Sequence, residues 1–140
     1  MATGTLKAIE AKPGLEAPVK EVALTRTDLV IYAGASGDFN PMHHDEVLAQ
    51  AAGMPSVFGH GMFSMGILGT ALTDFVGVGN VRTFGVRFVK QTWPGEVLRT
   101  KVVVTDVSEE NGETLVTLSC SVENADGETK VTGDATAVLG

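Results

Sequence analysis

The residues of this chain most able to do chemistry lie close together. Its three histidines, His43, His44 and His60, fall within eighteen positions, with Asp45 among them and Asp38 and Asn40 just before. No other part of the 140 residues offers a comparable group. Asp38 and His43 are five apart across a turn containing Pro41, which can bring a carboxylate and an imidazole to one point with a water between them. Neutral imidazole accepts a proton near neutral pH, and a carboxylate orients the water or completes the transfer, so the pair suits general acid/base chemistry. The same residues in a Gly- and Pro-rich stretch also fit a solvated, capped loop, and spacing alone leaves the two readings level.

His60-Gly61 stands at the head of a long apolar run. The first N–H groups of a helix lack intrahelical partners and lie at the positive end of its dipole, and a glycine there lets a ligand approach without a Cβ in the way. That is the composition of an oxyanion hole; the competing reading is a tight turn made by Gly59 and Gly61 with His60 as its cap. Asp38, His43 and His60 also form the residue set of a two-histidine, one-carboxylate metal site, but no His-x-His or helical i, i+4 spacing supports one, and no metal is expected. Gly59-His60-Gly61 does not begin a dinucleotide fingerprint, because Ser64 stands where the third glycine belongs. The lone Cys120 falls in the apolar phase of a strand, where a small buried thiol is commoner than a nucleophile.

The elements that must position these groups are read from periodicity. One or two short strands are expected, around Leu6 and from Val19 to Leu24, punctuated by Pro13 and Pro18. Thr25-Arg26-Thr27-Asp28 resembles a capping box with Asp for Glu, and it opens a helix from about Arg26 to Ser36. Gly37 to Pro41 breaks that helix. Asp45 and Glu46 then suit the first turn of a short second helix ending at Gly53. The longest apolar stretch, Gly61 to about Val76, reads as a buried helix. Gly66 and Gly69 inside it each cost about 1 kcal/mol relative to Ala, which predicts a close approach by a surrounding sheet.

Beyond Val81 the period changes to two. Phe84, Val86 and Phe88 share a face; Trp93-Pro94-Gly95 turns; Leu98, Val102 and Val104 share the next; and Asn111-Gly112 signals a hairpin. Thr114, Val116, Leu118, Cys120 and Val122 then alternate, Ala125-Asp126-Gly127 turns the chain, and Thr129 to Val138 makes a last strand. Long antiparallel strands after a buried helix predict an α+β fold in one domain, 1–140, and not a βαβ unit.

Composition narrows the function. The chain is 44% hydrophobic and 19% charged, with 10 basic against 17 acidic residues and a net charge of -7. This argues against disorder and against nucleic acid as main partner, and no apolar run reaches the roughly 18 residues of a membrane span. A single cysteine and an N-terminus without the features of a signal peptide predict a cytoplasmic protein.

The run Tyr32-Ala33-Gly34-Ala35-Ser36-Gly37-Asp38-Phe39-Asn40-Pro41-Met42-His43, with Asp45 and later Phe58-Gly59-His60-Gly61-Met62, closely resembles the hydratase motif of the MaoC-like family. That family includes R-specific enoyl-CoA hydratases and (3R)-hydroxyacyl thioester dehydratases, among them catalytic subunits of mycolic-acid synthesis. The resemblance implies a hot-dog fold, an antiparallel sheet wrapped around a central helix, and a dimer with its site near the interface. It also implies hydration of trans-2-enoyl thioesters, or the reverse dehydration, without a cofactor. Carried over by position, Asp38 and His43 are the catalytic pair, the Gly61 N–H polarises the thioester carbonyl, and Asn40, His60 and Met62 contact substrate. Some relatives carry a serine where this chain has Gly69, which puts an auxiliary hydrogen bond in doubt but not the pair.

The implied substrates travel on coenzyme A or acyl carrier protein. Five of the ten cations, Arg82, Arg87, Lys90, Arg99 and Lys101, lie within 82–101 with only Glu96 opposing, as a docking patch or as solvated strand positions. Homodimers and heterodimers with a related subunit both fit the family. A non-catalytic acyl-binding subunit and a hot-dog thioesterase are the alternatives; keeping both Asp38 and His43 weighs against the first, and the hydratase motif against the second.

Overall fold

The computed structural model describes residues 5–140. Helix α1 covers Arg26–Ser36, as its capping signal predicts: the Thr25 side chain accepts from the Asp28 N–H, and the Asp28 carboxylate accepts from the Thr25 N–H at 2.8 Å. Helix α2 is Glu46–Ala51, with Asp45 as its N-cap and not in its first turn, and helix α3 is Gly61–Val76. The strands are β1 (Glu21–Ala23), β2 (Val81–Phe88), β3 (Val97–Glu110), β4 (Glu113–Asn124) and β5 (Thr129–Leu139). They form one antiparallel sheet in the order β1-β3-β4-β5-β2, and α3 packs against β2, β3, β4 and β5. This is the hot-dog arrangement.

The alternation read from sequence survives because one sheet face covers α3. Leu98, Val102 and Val104 of β3 and Val116, Leu118, Cys120 and Val122 of β4 are buried, as are Leu68, Ala71, Leu72 and Val76 on the facing stripe of α3. Asn111 and Gly112 both take positive φ, 52° and 78°, as the tight hairpin between β3 and β4 demands. No helix among the described residues is long and apolar enough to cross a membrane.

Two expectations fail. Among the described residues no strand forms around Leu6; its N–H donates to the Phe75 carbonyl at the end of α3, the chain then makes a 3-10 turn over Ala8–Glu10, and Leu6 serves as an apolar plug. Pro13 and Pro18, which lack the donor a ladder needs, bracket the irregular run that follows along β3. The close approach predicted at Gly66 is also absent, since a Cβ there meets nothing within 4 Å. Gly66 lies on the face of α3 turned away from the buried stripe, while Gly69 makes only an ordinary 3.4 Å approach to Phe84. The crowded glycines lie elsewhere, among them Gly133 of β5, whose Cβ would fall on the Gly85 carbonyl, and, beside the histidines, Gly59, whose Cβ would fall on the Thr92 hydroxyl, and Gly61, whose Cβ would lie 3.0 Å from the Phe88 ring.

Candidate active site

The turn after α1 is built by its own polar side chains. Gly37 takes φ 76° to end the helix, and the Ser36 hydroxyl accepts from the Asp38 N–H. Asp38 Oδ1 then accepts from the Asn40 N–H, and Asn40 Oδ1 from the Met42 N–H, which caps a 3-10 turn over Pro41–His43. The capped-loop reading and the site reading therefore describe the same turn: the bonds that satisfy its backbone also aim its side chains. Asp38 Oδ2 ends 3.9 Å from His43 Nε2, with the carboxylate side chain 51% exposed and the imidazole 9%.

The other nitrogen of His43 fixes its protonation pattern. Nδ1 lies 2.6 Å from the Phe58 carbonyl, which can only accept, so Nδ1 carries the proton and Nε2 presents a lone pair towards Asp38. His60 stacks on this ring, with centroids 3.8 Å apart and 28° between planes, and packs edge-on against Tyr32. Its Nε2–H donates to the Asp38 backbone carbonyl at 3.1 Å, while Nδ1 has no partner among the described residues. Burial is the largest influence on its pKa and lowers it, aided by His43 and His44 and opposed by the bond to Asp38. His60 occupies the N-cap position of α3 without a side-chain capping bond, and at 1% exposure it props the pair from beneath.

Asp38, His43 and His60 have ligand-type atoms within 4.8 Å of one another. The two rings, however, are stacked face to face with their planes only 28° apart. A metal held at about 2.0–2.1 Å by both would sit out of each ring plane, so the residues are poorly arranged for one.

Gly61 is the first residue of α3, where helix geometry leaves its N–H without an intrahelical acceptor. It is exposed and borders a cleft of about 270 Å³ lined also by Phe58, Ser64, Phe88, Thr92 and Val131. Asp38 and His43 do not line that cleft. Asn40 and Met62 are exposed near the two ends of the constellation. Ser64 and Thr92 escaped the sequence reading; both hydroxyls are buried at the cleft without a partner among the described residues. The available signal was a serine in the otherwise apolar buried stripe of α3. A larger groove, about 850 Å³, lies at the opposite end of α3 between Leu6, Leu15 and Phe75, away from the histidines.

Two other expectations are settled here. Burial pushes the Cys120 thiol up to about 12, with Asp134 adding to the effect, which leaves it unreactive. The cations of 82–101 do not form one patch: Arg82 and Arg87 lie on β2 and Arg99 and Lys101 on β3, with β4 and β5 between them. Arg99 pairs with Glu21 and Lys90 with Glu128, each at 2.8 Å.

Comparisons with known proteins agree with this architecture. The family model described as "MaoC like domain" matches residues 6–126. Over 82 residues the chain is 39% identical to 3-hydroxyacyl-thioester dehydratase Y of Mycobacterium tuberculosis, covering 56% of this chain and 28% of that protein. Over 70 residues it is 37% identical to the peroxisomal enoyl-CoA hydratase 2 of Arabidopsis thaliana, covering 48% of this chain and 23% of that protein. It thus spans less than a third of either relative. The unliganded R-hydratase PhaJ1 of Pseudomonas aeruginosa superposes with a TM-score of 0.81 at 26% identity, over 95% of this chain and 84% of that one. With the family model covering the entire histidine turn, helix α3 and strands β1 to β4, the chain belongs to the MaoC-like family.

Proposed function

We propose that this chain is a hydro-lyase of fatty acid metabolism that reversibly adds water to trans-2-enoyl thioesters, or dehydrates (3R)-3-hydroxyacyl thioesters, carried on coenzyme A or acyl carrier protein. The observation that carries the reading is the Asp38–His43 pair, 3.9 Å apart, with Nδ1 of His43 committed to Phe58. Two acceptors at that separation can both reach one water. In hydration His43 Nε2 takes a proton as the water oxygen bonds to C3, while Asp38 accepts the water's other hydrogen bond and orients it. The C2=C3 electrons shift towards the thioester, and the charge developing on its oxygen meets the Gly61 N–H. The proton on His43 is then delivered to C2, so the atoms balance without a redox partner or cofactor. Asn40 and Met62 are assigned to substrate contact, and His60 acts through Asp38 and His43. The R stereochemistry rests on the names of the relatives.

The test is an absorbance assay of enoyl thioester loss over a panel of chain lengths on both carriers. Release of free thiol in place of water addition would make the chain a thioesterase. No reaction with either carrier would make it a non-catalytic partner subunit.

We further infer that residues 1–140 form one hot-dog unit acting in the cytoplasm, paired with a second copy or a related subunit. Strand β2 supports this: it is a sheet edge, and Phe88 at its end is 50% exposed. Such an edge invites pairing. Light scattering should give at least a dimer, and a fully active monomer of 14.6 kDa would overturn the inference.

A further inference from the structure

Lys130 is 1% exposed, yet the alternation of β5 should turn it to solvent, because its neighbour Val131 faces the core. A bulge explains the inversion. Val122 pairs with Val131 but Glu123 pairs with Thr129, so the β4–β5 register skips Lys130 and turns its side chain inward. There its ammonium donates to the Gln91 carbonyl at 2.9 Å and to Glu128 at 2.8 Å, and pairs with Glu96 at 3.1 Å. Burial works to raise Glu96, but hydrogen bonds from Asn124, the Trp93 N–H and Lys130 outweigh it and hold the carboxyl below its ordinary range. A buried charge is costly and persists only when it is fully partnered, as this one is.

The cluster grips one particular segment. Val89 and Lys90 donate their N–H groups to the Lys130 carbonyl, Gln91 accepts from its ammonium, and the Trp93 N–H donates to Glu96. The strap 89–93 in turn holds the active-site turn: the Thr92 carbonyl accepts from the Gly59 N–H at 2.8 Å, and Trp93 packs edge-on against Phe58 at 5.8 Å. Phe58 supplies the carbonyl that fixes the His43 proton, and Gly59 leads into Gly61.

From this chain of contacts we infer that Lys130, with Glu96, is a positioning residue that sets the His43 tautomer and the placement of the Gly61 N–H through the strap 89–93. The inference rests on the hydro-lyase reading for its kinetic consequence but not for its spectroscopic one. Displacements of about 1 Å at a reacting centre cost on the order of 100-fold. Lys130→Met should therefore lower kcat about 10- to 100-fold, with KM for a short enoyl thioester changed less than about threefold.

Imidazole nitrogen NMR of the intact protein should show wild-type His43 as one Nδ1–H tautomer and Lys130→Met as a mixture. Leu118→Ala, a core variant chosen to lower the melting temperature, should keep both the single tautomer and kcat. A folded Lys130→Met protein with the wild-type histidine spectrum and kcat overturns the inference, as does a Leu118→Ala protein that loses the tautomer equally. If Lys130→Met does not fold, Glu96→Gln carries the test, with the same loss of a single tautomer and a kcat fall of about 3- to 10-fold; unchanged values there overturn the inference too. Absence of thioester hydration in the wild type would sink the functional reading alone, because the spectra need no substrate.

Discussion

Between Gly37 and His60 the chain satisfies most of its polar groups locally: Asp38 bonds Asn40, Asn40 bonds Met42, and Asp45 bonds Leu48, each over two or three residues. Strands β3 to β5 instead pair backbone to backbone along two successive hairpins, reaching as far as Leu98 with Asn124 and Thr114 with Leu139, and bury one face against α3. The turn keeps Asp38 and Asn40 exposed and aimed above the buried His43 and His60, whereas the sheet packs one whole face of its side chains into the core. The difference shows where the molecule tolerates change: losing a polar atom in the turn should cost chemistry, and losing a methyl group in the sheet should cost stability.

The largest effect expected is at the pair. Asp38→Asn and His43→Ala should each lower turnover by on the order of 100- to 10,000-fold while the protein still folds, with the melting temperature kept in Asp38→Asn and lowered in His43→Ala, which loses a buried ring bonded to Phe58. Leu118→Ala should give the mirror image, a stability loss of about 2–5 kcal/mol with turnover kept. Thermal melts beside thioester assays check both, and wild-type-like activity in either pair variant would break the comparison.

Next in size is the donor at the head of α3. Gly61→Val should reduce the rate roughly 100- to 1,000-fold. The Phe88 ring stands 3.0 Å from the added Cβ, so the variant alone mixes crowding of protein with crowding of substrate. Gly61→Val with Phe88→Ala separates them; a folded double variant with near-normal turnover would place the oxyanion donor elsewhere. Gly59→Ala is no neutral control, because its Cβ would fall on the Thr92 hydroxyl, and overpacking of that kind costs about 1–3 kcal/mol.

The smallest effect is the dependence of stability on pH. Burial depresses His60 below its ordinary 6.5, so the unfolded chain takes the proton first and stability falls as pH drops below about 6.5. Hydrogen bonds from Lys130 and Lys90 hold Glu128 down to about 2 from 4.5; its contribution is present above about 4.5 and is lost as pH falls towards 2. Melting temperature against pH should therefore decline in two stages. Glu128→Gln should shrink the lower stage, which Glu96 shares, and leave the upper, and a single decline unaffected by that substitution would contradict the assignment.

Much of this protein was legible before folding because its signals are local or periodic. The capping box at Thr25, the Asn111-Gly112 turn, the apolar run of α3 and the alternation of β3 and β4 depend on nearest neighbours and on which face meets a core. The ordered run from Tyr32 to His43 marked the family for the same reason. Tertiary structure alone decided the rest. It put Phe58 against Nδ1 of His43, stacked His60 beneath that ring, and divided the cations of 82–101 between separated strands. It also turned Lys130 into the interior, because a bulge depends on the register between two strands and no residue in either one announces it. Side-chain type and spacing state what a residue can do; long-range pairing determines which atom it faces.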